Sequence, residues 1–146
     1  EYHDGYVYEL YTYKKKKVSS GNLSSISYNT LKNIKNQFYK LRVRAYVTID
    51  NKNYYGAWSD YTVFALQPKV GLKKSGKKLK ITWKKVTGAT SYKVKVGKKT
   101  YTAKKTSLTV KKLKKGKKVT IKISAQGPKA KYKASAWASK KVKIKK

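Results

Sequence analysis

Cysteine and methionine are absent from the 146 residues, prolines number 2, histidine 1, and acidic side chains only 5 against 39 basic ones. Without cysteine the fold has no disulfide to brace it and no thiolate to bind metal or act as a nucleophile. That absence fits a cytosolic protein and a bacterial surface protein equally. No apolar run approaches the ~18 residues of a transmembrane helix, and no signal-peptide pattern opens the chain. The first residues, Glu1-Tyr2-His3-Asp4-Gly5, include no initiator methionine, so a fragment of a longer chain is expected.

The shortage of acid is uneven. Residues 68–146 hold 29 lysines and no Asp, Glu, His or Cys, a charge of +29. A segment with no general base near neutrality except a strongly perturbed lysine, and with no good metal ligand, is not an enzyme. Residues 1–67 hold all the acids, Glu1, Asp4, Glu9, Asp50 and Asp60, against ten basic residues, for +5, and also the lone His3. Asp50-Asn51-Lys52-Asn53 has side-chain oxygens of the kind calcium takes. One carboxylate with a lysine inside the loop makes a hairpin turn the better reading. No cofactor and no metal are expected.

What the chain does have is lysine and apolar surface together. The net charge is 39 minus 5, or +34, yet hydrophobic residues make up 39% and aromatics 13%, enough to build a core where a disordered basic tail is not. All basic residues except Arg42 and Arg44 are lysine. Lysine is a point charge suited to diffuse attraction, whereas reading bases leans on the bidentate arginine fork, so specific nucleic-acid recognition is not expected. Lys, Asn, Tyr and Ile all have AT-rich codons, and genome composition remains a second explanation of the bias.

Apolar and polar residues alternate strictly in Leu79-Lys-Ile-Thr-Trp83, Tyr92-Lys-Val-Lys-Val96, Val119-Thr-Ile-Lys-Ile123 and Val142-Lys-Ile144. This period of two marks half-buried strands. Turn signals at Ser75-Gly76, Thr87-Gly88, Gly97, Lys115-Gly116 and Gly127-Pro128 separate them, and short strands at this spacing predict an all-β antiparallel sandwich.

The chain also repeats itself. Tyr39-Lys-Leu-Arg-Val-Arg-Ala45 aligns with Val119-Thr-Ile-Lys-Ile-Ser-Ala125. Gly56-Ala-Trp58-Ser59 follows the first as Ala136-Trp137-Ala138-Ser139 follows the second, and Tyr6-Val-Tyr8 upstream matches Tyr92-Lys-Val94. Two modules are expected, 1–67 and 68–146, joined at Ala65-Leu-Gln-Pro-Lys-Val70. In the second, the strand with Trp83 precedes Tyr92; its partner in the first would fall before residue 1, so the first module is expected to lack its N-terminal strands.

At these residues the sequence resembles the fibronectin type III family. Leu79-x-Ile81-x-Trp83 with Gly88-Ala-Thr-x-Tyr92-x-Val94 is similar to that family's second and third strands. Leu113-Lys-Lys-Gly-Lys-Lys-Val119 is similar to its turn into the sixth, and Gly56-x-Trp58-Ser59 to the entry of its last. The resemblance implies two immunoglobulin-like β-sandwich modules in tandem, of the lysine-rich kind found in secreted and surface proteins of Gram-positive bacteria, serving as noncatalytic spacers, adhesins or enzyme appendages. It also implies a tyrosine at the corner before the sixth strand. Tyr39 keeps that hydroxyl and Val119 does not.

Three sets of candidate residues follow. Lys111, Lys112, Lys114, Lys115, Lys117 and Lys118 crowd the connection between two strands, and are either the wet side of the fold or a contact for polyanions. Tyr11, Tyr13, Tyr54 and Tyr55 are placed outward or near turns by alternation, as cross-strand packing or as an aromatic patch for a sugar or a host protein. Arg42 and Arg44 project to the side where Trp58 would lie, giving a structural cation–π stack whose second-module equivalents, Lys122 and Ser124, leave it absent or weaker. The function expected is an extracellular or cell-surface spacer and attachment segment drawn to anionic cell-wall polymer while tied to the rest of its parent chain. An adhesin module for a host protein or glycan, an accessory region of a secreted hydrolase, and an intracellular nucleic-acid binder are the alternatives.

Overall fold

The computed structural model describes residues 3–23, 34–114, 116–128 and 134–144, and every regular element among them is a strand. The chain divides into two compact units, Glu1–Lys35 with Tyr39–Val63, and Asn36–Phe38 with Phe64–Lys146.

The first unit is built on β1 (Gly5–Thr12), β2 (Lys17–Leu23), β3 (Phe38–Ile49, all but its first residue) and β4 (Lys52–Tyr55), in the sheet order β2-β1-β3-β4; β5 (Thr62–Ala65), which starts in this unit, also pairs with β3. The β3–β4 hairpin closes through Asp50 and Asn51, both at positive φ (49° and 60°). Two left-handed residues are what a tight hairpin needs to match strand twist, and Asp and Asn are the non-glycine residues that tolerate it. The loop Asp50-Asn51-Lys52-Asn53 is therefore a turn. Two glycines here sit opposite tyrosines, Gly5 across from Tyr46 and Gly21 across from Tyr8. The tyrosine rings lie close over the glycine backbone, so a methyl group at Gly5 would stand 2.9 Å from the Leu23 carbonyl and 3.0 Å from the Tyr46 hydroxyl. A ring laid over a strand glycine replaces the packing the glycine cannot supply.

The second unit is a sandwich. One sheet has the order β10 (Ser107–Val110), β7 (Lys78–Trp83), β6 (Val70–Ser75); the other has β12 (Ala138–Lys143), β11 (Lys118–Gln126), β8 (Ser91–Val96), β9 (Lys99–Ala103). All pairings are antiparallel. Every alternate residue of β7 and β8 is buried: Leu79, Ile81 and Trp83 from one sheet meet Tyr92, Val94, Val96, Ile121 and Ile123 from the other. The Trp83 and Tyr92 rings pack edge to face at 5.3 Å, and the Tyr92 hydroxyl accepts from the backbone N–H of Val86 at 2.9 Å. Each aliphatic side chain sealed in this way contributes about 1.5–3 kcal/mol. The fold is all-β with immunoglobulin-like packing, as the alternation and the resemblance imply.

The repeat seen in the sequence is a repeat of register. Tyr6 and Tyr8 of β1 face Ala45 and Val43 of β3, as Tyr92 and Val94 of β8 face Ala125 and Ile123 of β11. The chain then returns through the same hydrogen bond in both units: Gly56 N–H to the Ala45 carbonyl at 3.0 Å and Ser135 N–H to the Ala125 carbonyl at 2.9 Å.

Candidate functional site

The outer face of the β1–β3 ladder carries Glu9, Tyr11, Arg42 and Arg44, brought together because each strand sends alternate residues to one side and Glu9 pairs directly with Arg42. Arg42 donates to one Glu9 oxygen through Nε (2.8 Å) and Nη2 (2.6 Å), the Tyr11 hydroxyl donates to the same oxygen at 2.8 Å, and Lys17 Nζ donates to the other at 2.7 Å. Hydrogen bonds from Lys17, Tyr11 and Arg42, in that order of effect, outweigh partial burial and hold the Glu9 carboxyl down at about 2. The same contact raises Lys17 and Arg42 above their usual values, and Tyr11 as well, since its phenol is donating to a carboxylate.

Trp58 closes this face. Arg42 and Arg44 stand over its indole at 4.4 and 4.5 Å from the ring centroid, Arg44 also over Tyr55 at 4.1 Å, and Arg42 over Tyr61 at 5.3 Å. The turn that delivers Trp58 is fastened by Ser59, whose N–H donates to the Val43 carbonyl and whose hydroxyl accepts from the Val43 N–H. The result is a ladder of alternating cations and rings whose only carboxylate among the described residues is Glu9.

The tyrosines fall into separate places. Tyr11 is half-buried in the Glu9 network and edge-on to Tyr61 at 6.1 Å. Tyr13 lies at the turn into β2, half-buried. Tyr54 and Tyr55 are exposed on β4, where they border a shallow depression with His3, Tyr46 and Gly56. The β1–β3 register puts Tyr11 and β4 at opposite ends of the ladder.

The corner tyrosine is in place: the Tyr39 hydroxyl donates to the Lys35 carbonyl at 3.0 Å. At the equivalent corner of the second unit, where Val119 has no hydroxyl, backbone bonds fasten the chain instead. Leu113 N–H reaches the Lys77 carbonyl, Gly116 N–H the Ile144 carbonyl, and Ile144 N–H the Lys117 carbonyl.

That corner is the lysine-rich run. It carries the chain from β10 in one sheet to β11 in the other, with Lys111, Lys112, Lys114 and Lys117 exposed on the connection and Lys118 on the first position of β11. Lys112 is at positive φ (59°). Lys112, Leu113 and Lys114 border a shallow depression with Lys77. Lys115 lies outside the described residues.

Lysines also face one another across the sheets. Lys73 faces Lys80 across β6–β7, Lys118 faces Lys143 across β11–β12, and Lys95 faces Lys122 across β8–β11. Lys95 also stands over Trp137 at 4.9 Å. The cation on Trp137 thus comes from the neighbouring strand β8, a partner that comparing β3 with β11 alone misses, as it misses the pairing of Glu9 with Arg42. Strand pairing, which the shared register of the repeat encodes, was the signal for both. Among the described residues there is no group of three or more His, Cys, Asp or Glu side chains able to hold a metal ion, and no helix long and apolar enough to cross a membrane.

No known family model matches the chain, and no curated protein matches it. Among solved structures it is similar to the interferon gamma receptor α chain from chicken, at 14% identity and a TM-score of 0.52, over 97% of this chain and 85% of that one. It is also similar to a two-domain fibronectin type III segment of chicken tenascin, at 16% identity and a TM-score of 0.46, over 98% of this chain and 86% of that one. The likeness is one of fold.

Proposed function

We propose that this chain is a noncatalytic extracellular spacer and attachment segment of a bacterial surface or secreted protein, and that its second unit is attracted to anionic cell-wall polymer. The observation that carries this reading is the outer surface of the second unit. Lysines recur at the outward positions of both sheets, crowd the connection between them, face one another across strand ladders, and meet no carboxylate anywhere in residues 68–146. Like charges opposed on neighbouring strands repel, and an anionic polymer relieves that repulsion while releasing its own counterions. Sandwich modules of this class commonly serve as spacers or binding modules, which supports the noncatalytic part.

Binding of the chain to purified anionic wall polymer, to uncharged wall glycan and to DNA across a salt series tests the reading. Retention on the anionic polymer that falls steeply with salt, with no retention on the uncharged glycan, is the expected outcome. DNA is expected to bind with the same steep salt dependence and no sequence preference. Failure of the anionic polymer to bind even at low salt would remove the proposal. A second reading, adhesion to a host protein or glycan, draws on exposed Tyr54 and Tyr55; a glycan or protein array on which Tyr54→Ala abolishes a specific signal would favour it.

A further inference from the structure

We infer that the outer face of the four-stranded sheet holds a discrete site for an acidic saccharide, with its oxyanion seated between Lys95 and Lys122 beside Trp137. The inference deepens the attachment reading and rests on it. Its basis is the register shared by the two units. In the first, Tyr8 pairs with Val43 and the next pair is Glu9 with Arg42; in the second, Val94 pairs with Ile123 and the next pair is Lys95 with Lys122. Lys95 therefore occupies the place of Glu9, and Lys122 the place of Arg42.

In the first unit the Arg42 cation next to the tryptophan is neutralised from within, because the Glu9 carboxylate takes hydrogen bonds from Arg42, Lys17 and Tyr11. In the second the carboxylate has been replaced by a third kind of neighbour, another ammonium. Among the described residues neither Lys95 nor Lys122 has a hydrogen-bond acceptor, while Lys95 is held over the face of Trp137. Two lysines on directly opposed positions have side-chain origins about 5 Å apart, so their flexible stems can bring both ammonium groups onto one carboxylate, phosphate or sulfate.

The neighbours of the pair point to a sugar. Ser139 pairs with Lys122 on one side and Thr100 with Lys95 on the other, so a single row across β12, β11, β8 and β9 reads hydroxyl, ammonium, ammonium, hydroxyl. At the usual strand spacing the row spans roughly 14 Å, the reach of a short oligosaccharide. Trp137 is 37% exposed beside the row and offers a surface for a pyranose ring once Lys95 turns from the indole to the oxyanion. A single-stranded nucleic acid would want several rings for successive bases and an arginine fork for reading them. This row has neither.

The test compares the full chain with Lys95→Glu, which rebuilds the acid–base pair of the first unit, and with Lys73→Glu, which makes the same change of charge on the other sheet. Probes are an oligogalacturonate, a sulfated oligosaccharide, an uncharged oligosaccharide of the same length and oligo-dT, at one fixed moderate salt concentration. Lys95→Glu is expected to weaken the two acidic saccharides about tenfold or more and Lys73→Glu about threefold or less, since loss of a charge-assisted contact exceeds loss of long-range field. Lys95→Glu is also expected to raise the melting temperature, which shows that the loss is not unfolding. The oligogalacturonate and the sulfated probe distinguish carboxylate from sulfate as the oxyanion.

Equal losses in the two variants, no loss in Lys95→Glu, or binding of oligo-dT with the same dependence on Lys95 would each overturn the site. If Lys95→Glu keeps salt-sensitive retention on the wall polymer, the attachment reading stands without the site; if the unmodified chain retains no polyanion, both fall.

Discussion

Glu9 accepts from three side chains on three different positions of the sheet, and its removal should be felt by all of them. Glu9→Gln is expected to cost about 1–2 kcal/mol, as losing charge-assisted hydrogen bonds does, measured by urea unfolding at neutral pH. The same residue sets an acid limb. Its carboxyl sits at about 2 in the fold against an ordinary value of 4.5. Its contribution is therefore complete above the unfolded value and fades as pH falls from there toward the folded one. The melting temperature should drop over that window, and the Glu9→Gln variant should show a flatter profile. Tyr39 poses a simpler case. Its ring is buried and its hydroxyl closes the corner on Lys35, so Tyr39→Phe should cost about 1 kcal/mol in the same assay, with the denaturant slope unchanged.

Among the elements, β3 carries the most. One face of it sends Arg42 and Arg44 to Trp58, and the loop after β4 is tied to it through Gly56 and Ser59. Arg44 has two rings about its guanidinium, Trp58 and Tyr55. Arg44→Ala is expected to lower stability by about 1–2 kcal/mol, two cation–π contacts at exposed or half-exposed sites. Polyanion affinity should be unchanged, because Arg44 belongs to the unit that carries little of the net charge, while residues 68–146 carry +29; a change in affinity at constant melting temperature would reverse the assignment of roles. The strands themselves were legible from alternation alone in β7, β8 and β11, where every second residue faces a core. β2 was not. Its sequence, Lys17-Val-Ser-Ser-Gly-Asn-Leu23, has little apolar rhythm, and pairing with β1 makes it a strand.

For the whole molecule the dominant fact is a +34 charge distributed so that one unit holds nearly all of it. Three opposed lysine pairs in the second unit make its stability sensitive to ions. Raising ionic strength from about 0.01 to 1 M shortens the screening length from roughly 30 to 3 Å, and the melting temperature should rise with it. Scanning calorimetry of the chain over that range checks this; a flat response would mean that the lysines already avoid one another by extending into water.

The order of its residues was enough to determine that this chain is all-β, that its pattern repeats, and where its strongest strands and turns lie. Alternation and turn chemistry are local properties, and each residue's own neighbours in the chain carry them. Which lysine meets which was decided only in three dimensions. Glu9 joins Arg42, Lys95 joins Lys122, and Trp137 takes its cation from β8 because strand pairing sets residues far apart in sequence side by side. The charge of the protein is thus a property of its composition. The difference between a paired face and an unpaired one is a property of register.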